Sequence, residues 1–235
     1  MSSQSLKSGW KLVKFGDVVR NASLVERDPV TNGIERIVGL EHLDPENLHI
    51  RRWNSSEDAT SFSSKFVPGQ TLFGKRRAYQ RKVAYAEFGG ICSGDILTFE
   101  SRDRNVLLPE LLPFICQSEA FFDYALGTSA GSLSPRTSWT ALKDFQFPLP
   151  PLEEQKRIAE ILWAADEAVE KLRGTHKSAI KLLESLRIKR VYIIFHRLQS
   201  CTISGENTMH RILLCNKICF MLNPACRTTR MRIPM

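Results

Sequence analysis

The sequence lacks several features that would assign a class at once. No run of about 18 uncharged apolar residues occurs, so nothing reads as a bilayer span. The opening MSSQSLKSGWKLVKF has no apolar core for a secretory signal, and the expected location is the cytoplasm. Cysteine is sparse and scattered, six in 235 residues, which argues against a secreted disulfide framework. A glycine-rich cofactor loop is missing. The five histidines, at 42, 49, 176, 196 and 210, form no HExxH and no nucleophile–base pairing. No catalytic constellation and no cofactor site follow from the residues, so the chain reads as a binding module and not an enzyme. Hydrophobic residues at 43% and charged residues at 25% exclude wholesale disorder and collagen-like repeats.

What is present begins with charge. The formal net charge is +8, but it is unevenly placed. Residues 1–150 carry 18 Lys and Arg against 17 Asp and Glu, residues 151–190 carry 9 against 7, and residues 191–235 carry 6 against 1. A basic chain points to nucleic acid in general. Here the main body is nearly neutral, so any such role rests on local patches.

Residues 10–108 read as short strands divided by turns. KLVKF (11–15), ERIVG (35–39), TLF (71–73), KVAYAEF (82–88) and DILTFE (95–100) are rich in β-branched and aromatic residues. Asp28-Pro29, Asn32-Gly33, Asp44-Pro45, Pro68-Gly69 and Gly89-Gly90 punctuate them. LPELLPFICQSEAFFDYAL, near 109–126, suits a helix on the sheet, and the loop GTSAGSLSPRTS (127–138) leads to FQFPLP (145–150). The expectation is an α+β fold: one mixed, strand-rich domain over 1–150.

The clearest pattern follows. In LEEQKRIAEILWAADEAVEKLRGTHKSAIKLLESLRIKR (152–190), Ile158, Ile161, Ala165, Ala168, Leu172, Thr175, Ala179, Leu182 and Leu186 fall at alternating steps of three and four. Such a seam is that of a coiled-coil-type helix over 151–190, a rod of about 58 Å at about 1.5 Å per residue. A helix folded back on its own domain is the plainer alternative. Residues 151–170 hold two cations and six anions, and residues 171–190 hold seven cations and one anion. Two such helices therefore match antiparallel, acidic half against basic half, which is the arrangement of a spacer.

Residues 191–235 break this grammar. They hold Cys201, Cys215, Cys219 and Cys226, a single acid, Glu206, and no sustained periodicity. The spacing Cys215-x3-Cys219 with Cys226 and His210 does not make a zinc site, and no metal is expected. An anomalous, disordered or frameshift-derived tail is the reading.

Gly69-x4-Gly74-Lys75 matches a phosphate-binding loop until Arg76 stands where Ser or Thr should hold magnesium. Thr71, Leu72 and Phe73 look like a strand where the loop should be, so a P-loop enzyme is set aside. As a basic cluster the same stretch has another use: Lys75, Arg76, Arg77, Tyr79, Gln80, Arg81 and Lys82 interleave cations with an aromatic and an amide. Such groups neutralise phosphates and form bidentate bonds to guanine or adenine edges. His49, Arg51, Arg52 and Trp53, in HIRRWN (49–54), form a second cluster, and Ser134 and Arg136 a third candidate. The alternative for each is an ordinary solvated surface.

Four segments, GWKLVKFGDV (9–18), VPGQTLFGKRRAYQRKVAYAEFGGICSGDIL (67–97), GTSAGSLSPRTSW (127–139) and FPLPPLEEQKRIAEIL (147–162), resemble the specificity subunit of type I restriction–modification systems. The resemblance runs across about 9–190. It implies a target-recognition domain that reads one half of a split site in double-stranded DNA. It implies that the long helix packs antiparallel against a second such helix and fixes the gap between half-sites. DNA methyltransferase and restriction subunits would be the partners that carry the chemistry. DNA contact would fall to the 75–82 region, with 49–54 and 132–136 as further loops. A full member of the family has two recognition domains and two helices, whereas this chain has one of each. It is then either a half-subunit that pairs with itself or with a second half, or the truncated front of a broken subunit. A helical interaction protein without a DNA role is the remaining alternative.

Overall fold

The computed structural model describes residues 7–55 and 62–200, with side chains as far as residue 189. It divides into two compact units, Met1–Asp166 and Glu167–Met235. The first is α+β. Strands β1 (Lys11–Lys14), β2 (Val19–Asn21), β3 (Leu24–Val25), β4 (Arg36–Val38), β5 (Asn54–Ser55) and β6 (Ser64–Phe66) precede β7 (Thr71–Gly74), β8 (Val83–Tyr85), β9 (Gly90–Cys92) and β10 (Ile96–Ser101). A short helix α1 (Phe15–Val18) lies between β1 and β2, and α2 (Leu112–Gln117), α3 (Glu119–Gly127) and α4 (Trp139–Leu142) follow β10. Strand β11 (Gln146–Leu149) then leads into α5 (Leu152–Ser200).

Three sheets result, in the orders β1-β11, β2-β10-β7-β8 and β3-β6-β9-β4-β5. Among the described strands only the β4–β9 pair is parallel. In the middle sheet Thr71–Gly74 is buried throughout and so is the first part of β10, Ile96 to Phe99, the pattern of strands covered on both faces. Side chains alternate across a strand, and here each face meets a core. Along β7, Phe73 enters a core with Phe15, Phe99, Phe121 and Phe145, while Leu72 enters a second with Val38, Leu43, Ile50 and Phe66. Val83 and Ala84 of β8 divide in the same way, as do Leu97 and Ile96 of β10. The first core is built on aromatic edges: Phe15 meets Phe99 at 5.3 Å and Phe73 meets Phe121 at 5.4 Å, both T-shaped.

Two sequence expectations need correction. The helix read across 109–126 is broken at Ser118, whose extended backbone and side-chain oxygen cap α3 by accepting from the Phe121 amide. Gly89-Gly90 is not only a turn, because Gly90 opens β9. A Cβ there would lie 2.7 Å from the Arg36 carbonyl and 2.8 Å from the Phe66 ring, so the strand pairing excludes a side chain.

The start of α5 belongs to the first unit. Gln155 is buried, and its amide donates to the Val106 and Pro150 carbonyls at 2.8 and 2.9 Å while accepting from the Leu108 amide at 2.9 Å. Glu154 takes hydrogen bonds from Lys7 and from the Trp10 indole, and the Trp163 indole donates to the Glu110 carbonyl at 2.9 Å. Gln155, Ala159 and Trp163, spaced by four, make a face toward the domain. The proposed seam is a different face. Ile158 is half-buried, but Ile161, Ala165, Ala168, Leu172, Ala179, Leu182 and Leu186 are exposed.

The helical backbone runs on to Ser200, past the expected end at 190. The rest of the tail reading, with Cys201, Cys215, Cys219, Cys226 and His210, lies outside the described residues. Replacing Gln155 with Leu leaves the Leu108 N–H and the Val106 carbonyl without partners. The expected cost is about 1–3 kcal/mol, seen as a lower melting temperature of the full chain; an unchanged melt contradicts this anchoring.

Candidate nucleic-acid interface

The basic stretch 75–82 is the loop joining β7 to β8. Gly74 donates its amide to the Lys82 carbonyl at 2.9 Å and closes the base. Between them a 3-10 turn, Ala78–Gln80, is bracketed by Arg77 and Arg81, both left-handed with φ of 54° and 53°. For residues with a Cβ this costs about 1–2 kcal/mol each, so neighbouring contacts must hold the loop. Arg77 donates its amide to the Pro135 carbonyl at 2.7 Å. Arg81 makes a two-pronged pair with Glu119 at 2.9 and 2.6 Å and stacks 4.9 Å from the Phe122 ring centre. Its Glu119 partner is held below the ordinary carboxylate range, first by that hydrogen bond.

The loop 127–138 docks against this hairpin. Arg76 and Arg136 form a β-bridge, Thr137 donates to the Lys75 carbonyl at 3.0 Å, and Ala130 and Arg136 exchange amide bonds at 3.0 and 2.9 Å. The Ser134 hydroxyl accepts from Nε of both Arg76 and Arg77, each at 3.1 Å. Asp95, from the turn before β10, accepts from Arg136 Nε at 2.9 Å and Arg76 Nη1 at 3.4 Å. Burial pushes the Asp95 carboxyl up, but the hydrogen bonds and charges of Arg136 and Arg76 outweigh it and hold the group below its ordinary value. One acid therefore aligns two guanidiniums and leaves most of their donors unused.

The predicted residues thus separate into two kinds. Arg76, Arg77, Ser134 and Arg136 are brought together; Lys75 and Gln80 are half-buried beside them, and Tyr79 is 54% exposed. Arg81 and Lys82 are turned inward, Lys82 donating to the Leu40 carbonyl at 2.6 Å. Arg52 grips the adjacent Glu41 carbonyl at 3.0 Å and Asp44 at 2.5 Å, so the second basic cluster meets the first at the turn Leu40–His42. Arg51 and Trp53 are exposed, and Trp53 stands edge-on to Phe88 at 5.2 Å. Arg36 lies over both rings, at 4.6 and 4.4 Å, a cation–π contact. Sequence reasoning missed Arg36, Phe88, Asp95 and Glu119, which touch the basic clusters only through the fold; no local signal marks them. Among the described residues no group of His, Cys, Asp or Glu could hold a metal ion, and no helix is long and apolar enough to cross a membrane.

The family model for the type I restriction modification DNA specificity domain matches residues 7–182. The chain belongs to that family. It is 29% identical over 180 residues to the type I restriction enzyme EcoDI specificity subunit of Escherichia coli, across 71% of this chain and 38% of that one. The fold is shared with the HsdS subunit from Thermoanaerobacter tengcongensis: TM-score 0.59, 24% identity, 84% of this chain and 50% of that chain. It is also shared with a chain from a structure of the type I R-M system in complex assembly and conformational transition, at TM-score 0.60, 23% identity, 86% of this chain and 52% of that chain. The chain thus spans about half the length of these relatives, or less. DNA recognition is the role the family assigns to this specificity domain.

The depressed Asp95 carboxyl gives a signed pH dependence. Its pairing stabilises the fold above the ordinary aspartate value, about 4, and is lost as pH falls through the lower folded value. Asp95→Asn should therefore melt below wild type at pH 7, with the gap closing toward pH 3. A gap constant across that range contradicts the ion pairing.

Proposed function

We propose that residues 1–150 form a recognition domain that reads one half of a bipartite site on double-stranded DNA, in the cytoplasm. The observation that carries this reading is the assembly of Arg76, Arg77 and Arg136 around Ser134 and Asp95. Two loops far apart in sequence are joined there, and the joining orients forked donors that match phosphates or guanine edges. Tyr79 and Trp53 add exposed aromatic surface. On this reading Lys75, Arg76, Arg77, Arg136 and Gln80 face DNA. Arg81, Lys82 and Arg52 shape the loops that carry them.

Residues 151–190 act as the spacer. The exposed stripe Ile161, Leu172, Leu182 and Leu186 supports pairing with a second apolar helix, and the acidic and basic halves favour an antiparallel partner. That partner is a second copy of this chain or a separate second half-subunit. Methyltransferase and restriction subunits, positioned by this assembly, carry out the reactions, and this chain supplies specificity.

The test uses the full chain assembled with its methyltransferase subunits. Arg76→Ala weakens DNA binding. If Arg76 contacts a phosphate, the loss is uniform across sequences and the salt slope flattens by about one; if it contacts a base, about 1–3 kcal/mol is lost at one position. Unchanged affinity and unchanged site preference contradict the assignment.

A further inference from the structure

Leu133 is the most exposed large hydrophobic side chain among the described residues, at 91%. A single exposed leucine is ordinary on a protein surface, so exposure alone assigns it nothing. Its setting is what differs. Many of the other exposed apolar side chains lie in the α5 stripe or on strands, as Leu172, Leu182, Leu12 and Val25 do, and those on loops are less exposed, Val30 at 58% and Tyr79 at 54%. Leu133 sits at the tip of the bridged loop 130–136, where Gly131 turns the chain with φ of +105°. The backbone on both sides is pinned: Ala130 and Arg136 exchange amide bonds, the Pro135 carbonyl accepts from Arg77, and the Ser134 hydroxyl accepts from two arginines. A side chain with almost no contacts of its own is thus carried on a loop whose position is fixed. The loop's anchors are Arg76, Arg77 and Arg136, and Asp95 accepts from Arg76 and Arg136.

An apolar tip on a cationic base complements a surface where phosphates flank small apolar groups. DNA offers these in two forms. One is the thymine methyl in the major groove; the other is the face of a base partly unstacked by an inserted apolar wedge. We propose that Leu133 is a specificity-determining residue that packs on the apolar surface of a base in the target half-site, while the neighbouring arginines hold the backbone. This rests on the DNA-recognition reading above and adds a residue and a contact chemistry to it.

The experiment begins with the full chain, assembled with methyltransferase subunits, selecting bound duplexes from a randomised pool. Leu133→Ala, Leu133→Met and wild type are then compared on the enriched duplex and on an unselected one. Leu133→Ala should keep the wild-type melting temperature and salt slope, yet lose affinity for the enriched duplex by about five- to twenty-fold. Leu133→Met should restore most of that loss, and the unselected duplex should bind all three alike.

Deoxyuridine in place of thymine at one position should weaken wild type by roughly four-fold and leave Leu133→Ala unaffected if a methyl is read. A 2-aminopurine that brightens only with wild type marks an unstacked base instead. Binding of the enriched duplex by Leu133→Ala within two-fold of wild type overturns the inference and leaves the DNA reading standing. Equal losses on both duplexes with neither probe responding also overturn it, as does a loss of methyltransferase co-purification, which makes Leu133 a protein contact. Failure of wild type to enrich or retain any duplex removes the DNA reading and the inference together.

Discussion

The structure depends on the burial of β7 from both sides. Leu72 and Phe73 are adjacent in sequence and each is fully buried, but they enter different cores. A slip of one residue would exchange their places, leaving a leucine in a phenylalanine-shaped space on one side and forcing a phenylalanine into a leucine-shaped space on the other, so the register is tightly specified. Because β7 cannot slide, Gly74 and the loop that follows leave the sheet at a fixed point. The basic loop is therefore carried by a strand buried at every residue, even though the loop itself is polar and partly exposed. Short, costly backbone conformations at Arg77 and Arg81 are tolerated on such a base because the surrounding contacts decide them.

Charge in this loop serves two purposes that composition alone does not separate. Arg81 and Lys82 hold the fold: one grips Glu119 and covers Phe122, and the other satisfies a backbone carbonyl. Arg76 and Arg136 share one carboxylate and keep other donors unused. A single aspartate between two guanidiniums reduces their mutual repulsion, fixes their direction and leaves a positive excess. That arrangement suits an anionic polymer better than a small ligand, since nothing about it encloses a ligand. The spacer helix divides its labour by face. Gln155, Ala159 and Trp163 meet the domain, and the heptad seam stays exposed.

Much of this was legible in the residues, unevenly so. Strands β7, β8 and β10 announced themselves through β-branched and aromatic runs, and α5 through its alternating steps of three and four. Strands β3, β5 and β6 are short and lie in no run of β-branched and aromatic residues, so the sequence does not mark them. Strand β9 was hidden because its first residue is a glycine, required there by the closeness of Arg36 and Phe66. The break between α2 and α3 depends on one serine cap inside an otherwise helical pattern. In the candidate interface, 75–82 reads as a basic cluster, and Ser134 and Arg136 as a separate candidate loop. Their union across 58 positions, the acid that joins them and the inward turn of Arg81 and Lys82 are tertiary facts. Gln155 lay in the most recognisable motif, LEEQKR, but its three backbone partners could be assigned only from the fold.

The central claim is that one recognition domain and one spacer helix together read half of a divided DNA site. Its most direct test is expression of the full chain with its methyltransferase subunits, followed by genome-wide sequencing of methylated adenines. The account predicts a bipartite motif with a fixed gap, palindromic if two copies of this chain pair through α5. A contiguous motif, or no methylation dependent on this chain, would contradict it.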